Sequence, residues 1–173
     1  MVNSKQKGNK FEIEVSESLS LWWSGGVHDD WFFRSTNSGG RATERAKAGK
    51  RTLNSAGDLQ AQCHEAQRLL DLVSFEAKKG YNHLSVADLW EKPKGGFHDF
   101  VSQAQKSASL AGTCGWAVIH KRDRRNAVIH WFLPSRLISS ELLITESLET
   151  FLTEERREFL QTEWMVRFGE KET

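Results

Sequence analysis

Between residues 5 and 23, apolar side chains return every three or four positions, at Phe11, Val15, Leu19 and Trp22, with Ser, Glu and Lys between them. That spacing places one buried stripe on an amphipathic helix. Gly25-Gly26 supplies its stop. Trp31-Phe32-Phe33-Arg34-Ser35-Thr36 then has the aromatic content of a strand, and Asn37-Ser38-Gly39-Gly40 is a turn cluster. A long polar loop follows over about 39–56. Residues 58–63 alternate in period two and predict a strand, and 70–77 predict a second, paired with the first as a hairpin across 64–68 and closed by Lys78-Lys79-Gly80.

Helical spacing reappears over 97–110 at Phe100, Val101, Ala104 and Ala108, bounded by Gly95-Gly96 and Gly112. Two short apolar runs, 116–120 and 127–132, flank Asp123-Arg124-Arg125-Asn126 and predict a hairpin. Residues 141–161 predict a helix anchored by Leu142, Leu143, Leu148, Phe151, Leu152 and Phe159, and 164–168 a last short element. The expectation is a single α/β domain over 1–173, a mixed sheet with helices against it. Its core spans about 5–133, and a helical extension covers about 134–173. Internal repeats and low-complexity segments are absent from the sequence.

Composition narrows the class. The chain has 173 residues, 38% hydrophobic and 27% charged, values of an ordinary folded domain and not of a disordered or fibrous chain. Its apolar runs are too short for a membrane span or a signal core. Cys63 and Cys114 have no C-x-x-C spacing, which leaves neither a disulfide framework nor a cysteine zinc site, and a reducing cytoplasm is expected. The formal net charge of +1 conceals polarity. From Arg34 to Arg51 six basic residues face one acid, whereas from Glu141 onward nine glutamates face four basic residues. The basic stretch has the character of a phosphate footprint or of a solvated loop.

Three charged residues fall at informative places. Asp58 opens one predicted strand, while Glu76 and Lys78 close the next and, two apart on an extended chain, share a face. Antiparallel pairing of those strands would bring all three to one sheet end. Two neighbouring carboxylates repel, and a hard divalent cation, Mg²⁺ or Mn²⁺, relieves that repulsion. A lysine beside water on that ion stabilises hydroxide or the charge growing on phosphorus, as phosphodiester hydrolysis requires.

Gly57-Asp58 followed by Glu76-Ala77-Lys78 resembles the D…(D/E)-x-K signature of the PD-(D/E)XK nuclease superfamily, with Gly57 where Pro is common there. Lys7-Gly8-Asn9-Lys10-Phe11-Glu12 resembles the K-G-x-x-x-E opening of archaeal-type Holliday junction resolvases, whose Glu assists metal binding. Phe33-Arg34-Ser35 resembles their arginine-containing strand. The likeness covers roughly 7–120; the tail from Pro134 has no counterpart in it, and the loop between Arg34 and Asp58 is longer than theirs.

This resemblance implies a restriction-endonuclease-like α/β core with an extra C-terminal helix, and a Mg²⁺-dependent DNA endonuclease for which Mn²⁺ would substitute. In that assignment Asp58, Glu76 and the Ala77 carbonyl hold the metal, Glu12 completes or orients its shell, and Lys78 positions the attacking hydroxide. Composition alone would select Glu14 or Glu17 as readily as Glu12. Lys7, Lys10, Arg34, Arg41, Arg45, Lys47, Lys50, Arg51 and Lys79 are the expected backbone contacts to DNA, although Lys79, facing away from Lys78, also fits plain surface. The resemblance further implies junction resolution, 5′-phosphate and 3′-hydroxyl ends, and a homodimer, since symmetric cutting of two strands takes two sites. The alternatives are a duplex restriction, repair or phage DNA-processing nuclease, or a non-catalytic DNA-binding protein of the same fold.

Other residues carry weaker signals. His64 lacks an H-E-x-x-H context and fits a turn; His120 and His130 fit structural places in apolar strands or the lining of the site. Gly49-Lys50-Arg51-Thr52 misses the P-loop pattern, so no nucleotide cofactor is expected. Trp22, Trp116 and Trp131 sit in core-like patterns, leaving Trp23 and Trp90 as the outlying aromatics. Gln103 and Gln105 are candidates to reach the site or to form a polar helix face.

Overall fold

The computed structural model describes residues 4–35 and 57–169. In chain order the elements are α1 (Ser4–Trp23), β1 (Phe32–Arg34), β2 (Leu59–Ala61), α2 (His64–Leu72), β3 (Val73–Lys79), α3 (Asp88–Glu91) and α4 (Phe97–Ala111). They continue with β4 (Gly115–Lys121), β5 (Val128–Ser135), β6 (Ser140–Ser147), α5 (Leu148–Phe151) and α6 (Glu154–Phe168). Arg41, Arg45, Lys47, Lys50 and Arg51 lie outside the described residues.

Strands β3 to β6 form one mixed sheet in the order β3-β4-β5-β6, parallel between β3 and β4 and antiparallel beyond. α4 connects the parallel pair, as such a crossover requires. β1 and β2 make a small antiparallel ribbon that touches the sheet through the Gly57–Phe75 bridge.

Alternation along β3 sorts its side chains between two layers. Phe75 and Ala77 join the larger core with Phe11, Val15 and Leu19 of α1, Leu69, Leu70 and Leu72 of α2, Trp131 of β5 and Leu160 and Trp164 of α6. On the other face Phe97, Phe100, Ala104 and Ala108 of α4 cover Trp116 and Val118 of β4. This mixed α/β sheet between helices, with a C-terminal helix, is a restriction-endonuclease-like arrangement. Among the described residues no helix is long and apolar enough to cross a membrane.

Two sequence expectations are corrected. The predicted strand over 70–77 begins only at Val73, because 64–72 form a helix that buries Ala66, Leu69, Leu70 and Leu72. Ala66, Leu69 and Leu70 recur at helical spacing, and Glu65 in the first turn suits the helix dipole. β2 and β3 are therefore not a hairpin. The predicted helix over 141–161 is instead β6, α5 and the start of α6, and 164–168 complete α6. Leu142 and Ile144 pack on the core while Glu141 and Leu143 are exposed, a period of two that the run Leu142-Leu143-Ile144 obscures. Thr153 caps α6 by accepting the Arg156 amide proton. Buried Glu163 fastens that helix to the β5–β6 turn, accepting from the Ser135 hydroxyl, from the amides of Arg136 and Leu137 and from Arg167.

Candidate active site

Asp58 reaches the sheet through its backbone before its side chain. Its amide donates to the Phe75 carbonyl at 2.8 Å, and its Oδ2 accepts the Ala77 amide proton at 2.9 Å. This close approach explains the glycine before it. Gly57 has φ +75°, and a Cβ there would stand 2.2 Å from the Phe75 carbonyl oxygen. Proline, locked near −65°, cannot occupy such a position. The three residues therefore converge, as the sequence suggested, but through contact between β3 and the chain entering β2, not through a hairpin.

Glu76 and Lys78 project toward α4. Glu76 Oε1 accepts from the Ser107 hydroxyl at 2.6 Å, and Oε2 accepts from Gln103 Nε2 and from Lys78 Nζ, each at 2.8 Å. Lys78 Nζ lies 3.7 Å from Asp58 Oδ2. Glu76 and Asp58 are 1% and 4% exposed, so their charges depend on these partners and not on water. Burial raises the Glu76 pKa, and the Asp58 charge raises it further. Burial opposes the Lys78 charge as well, but the two carboxylates outweigh it and its pKa lies above the ordinary lysine value.

Glu12, from α1, is paired with Arg34 of β1 and lines the same cleft as Lys78. That cleft, about 710 Å³, also presents Lys7, Lys79, Tyr81 and Asp123. Lys10 is exposed, one turn further along α1 than Lys7. Lys79 faces α1, with Nζ 3.7 Å from Glu14 and 5.6 Å from the Phe11 ring.

The donor set suits a hard cation. Arg34 meets the Glu12 charge, and one ammonium is shared between Asp58 and Glu76, so that with both of these acids ionised one buried negative charge is unbalanced. Among the described residues no group of three or more His, Cys, Asp or Glu side chains forms a metal cage. One or two carboxylates with the rest of the shell left to water is how Mg²⁺ is usually held. Asp58, Glu76 and the neighbouring Ala77 carbonyl are the groups that could hold it.

Several residues fall elsewhere. His120 contacts the Gly80 carbonyl at 3.2 Å, His130 contacts the Thr145 hydroxyl at 2.6 Å, and both pack on Phe97, with burial lowering each pKa. His64 opens α2 rather than sitting in a turn. Trp23 is core, its indole donating to the Glu65 carbonyl, while Trp90 is exposed. Sequence reasoning missed Ser107. Its signal was its spacing from Gln103, four residues along α4 and so on the same helix face. Tyr81, Asn82 and Asp123 were also missed, having no motif of their own.

Residues 3–163 match the model of the family described as "Phage putative PDDEXK endonuclease". No curated protein matches the chain. No solved structure matches it. The family match spans both halves of the Asp58–Glu76–Lys78 constellation and most of the fold around it, and by it the chain belongs to this phage PD-(D/E)XK endonuclease family.

Proposed function

We propose that the protein is a divalent-metal-dependent DNA endonuclease, with Asp58, Glu76, Lys78 and Glu12 as its site. The observation that carries this is the buried pair of carboxylates sharing the ammonium of Lys78, a residue that itself lines an open, lysine-bearing cleft. A structural charge cluster has no need of a remaining negative charge, because leaving one buried is costly; a cation-binding site does.

Asp58 and Glu76 hold Mg²⁺ or Mn²⁺ with the Ala77 carbonyl as a neutral oxygen. Bound there, the cation supplies Lewis acidity toward the phosphate and water. Ser107 and Gln103 fix both oxygens of Glu76, as partners behind metal-binding carboxylates do. Lys78, held protonated by its neighbours, donates to the attacking water or the phosphate oxygen and stabilises the charge that grows there. Glu12, restrained by Arg34, orients water at the cleft wall. The water oxygen bonds to phosphorus as the bond to the 3′ oxygen breaks, and the water's proton ends on that oxygen. The products are a 5′-phosphate and a 3′-hydroxyl.

The finer proposal is selectivity for branched DNA by a homodimer. Its support is the Lys7-Gly8…Glu12 segment, which lines the cleft and whose sequence resembles the opening of junction resolvases. Digestion of a synthetic four-way junction and of linear duplex with the same arms, with Mg²⁺ or EDTA, tests both levels. Mg²⁺-dependent cutting of either substrate supports the nuclease, and preference for the junction supports the finer statement. No cutting of either under any divalent cation refutes both.

A further inference from the structure

The β4–β5 turn, whose Asp123 lines the cleft, carries a second group of basic residues beside it. β3 and β4 end in register, with Lys79 opposite Lys121, and beyond them the chain turns through Arg122, Asp123, Arg124 and Arg125 before β5. Asn82, just after β3, binds this turn reciprocally. Its Nδ2 donates to Asp123 Oδ2 at 3.0 Å, and its Oδ1 accepts the Asp123 amide proton at 2.7 Å. Gly80 adds a backbone bond to Lys121 at 3.0 Å. A hairpin turn that could sway is thereby fastened to the strand bearing Lys78. Asn82 lies four residues from Lys78, at most about 14 Å of extended backbone, which is about four nucleotide steps along one DNA strand.

Arg122, Arg124 and Arg125 are exposed, and among the described residues none is within ion-pair distance of a carboxylate. The one acid in the turn, Asp123, is occupied by Asn82, and the Lys7, Lys79 and Arg124 charges surround it. Lys79 and Lys121 both approach Glu14 at 3.7 Å, so a single carboxylate serves two ammonium groups. The rim is therefore cationic beyond its internal needs. Guanidinium forks match phosphate oxygens in geometry and charge.

We propose that the β4–β5 turn is a phosphate-binding arm for the DNA strand leaving the cleft, with Arg122, Arg124 and Arg125 gripping phosphodiesters a few nucleotides from the scissile bond without reading bases. This rests on the nuclease reading and names a binding surface outside the residues that the sequence motifs supplied. Interactions of this kind set register and salt dependence, not sequence preference.

The test compares wild type, the triple variant Arg122→Gln/Arg124→Gln/Arg125→Gln, the triple Arg→Lys variant at the same positions, and Arg136→Gln at the opposite end of β5. Binding of a labelled duplex without divalent cation is measured across salt concentrations, with cleavage in Mg²⁺ as a second readout. For each phosphate that the protein no longer neutralises, the slope of log affinity against log salt falls by about one, so the Gln triple should drop by up to about three in slope and at least about tenfold in affinity. The Lys triple should restore the slope, and Arg136→Gln should match wild type. Wild type that binds and cuts, together with a Gln triple of unchanged slope, overturns the arm and leaves the nuclease standing. A slope that Lys does not restore also overturns it. Wild type that neither binds nor cuts any DNA removes the nuclease reading, and the arm with it.

Discussion

The Asp58 carboxylate accepts the amide proton of Ala77 at 2.9 Å. That bond joins a residue just ahead of β2 to the middle of β3, and it sets Asp58 beside the two side chains flanking Ala77, Glu76 and Lys78. Asp58→Asn keeps an acceptor for the amide while removing the charge. It should leave the melting temperature near wild type and lower Mg²⁺-dependent cleavage by at least about a hundredfold. Asp58→Ala should lose cleavage and also about 1–3 kcal/mol of stability, because the buried amide has no replacement partner. Thermal denaturation beside plasmid nicking separates the two effects.

Gly57 is held at φ +75° against the Phe75 carbonyl. Gly57→Ala is expected to cost about 2–4 kcal/mol through backbone strain and overpacking, and Gly57→Pro more. Chemical denaturation of purified variants measures this; a change below about 0.5 kcal/mol would contradict so close an approach of the two chain segments.

Glu76 gives a pH signature. Its pKa is raised by burial and by Asp58, so between the ordinary glutamate range and that raised value the folded protein binds more protons than the unfolded chain. Stability should therefore fall as pH rises through that interval. Glu76→Gln should abolish the fall, and the affinity of wild type for Mg²⁺ should rise with pH over the same range as the proton leaves. The Lys78 shift, upward from its ordinary value, contributes stability that is lost only in strong alkali. Melting curves across pH, with and without Mg²⁺, check each sign.

Ser107 and Gln103 act through Glu76. Ser107→Ala and Gln103→Ala should raise the Mg²⁺ concentration needed for half-maximal cleavage by about 10–100-fold, with partial recovery at saturating metal. An effect confined to stability would assign them to packing alone.

Glu12 is restrained by Arg34 and stands in the cleft that Lys78 also lines. Glu12→Gln should lower cleavage by about 10–100-fold, less than Asp58→Asn does, with little change in melting temperature because Glu12 is only partly buried. Single-turnover rates on a labelled duplex give the comparison.

Strong period and clear punctuation made most elements legible. α1 and α4 carry long apolar stripes ended by glycines, and the β4–β5 hairpin is two apolar runs around a polar turn. α2 was not legible because its nine residues run into β3 without punctuation, through Leu69-Leu70-Asp71-Leu72-Val73. β6 was hidden by three consecutive apolar residues on a strand whose outer face remains exposed. Spacing and strand parity pointed to Glu76 and Lys78, whereas the approach of Asp58 depends on a Gly57 bridge that no local pattern announces. Ser107 and the Asn82–Asp123 fastening are tertiary contacts between distant stretches, and neither residue type is distinctive alone.

The central claim is that Asp58 and Glu76 together bind a divalent cation that the chemistry needs. Calorimetric titration of Mn²⁺ into wild type, Asp58→Asn and Glu76→Gln, with plasmid cleavage run in parallel, addresses it directly. The account predicts saturable binding to wild type, a drop of at least about tenfold in affinity in each variant, and cleavage that vanishes with EDTA and in both variants. Equal metal affinity in all three proteins, or cleavage that survives both substitutions, would contradict it.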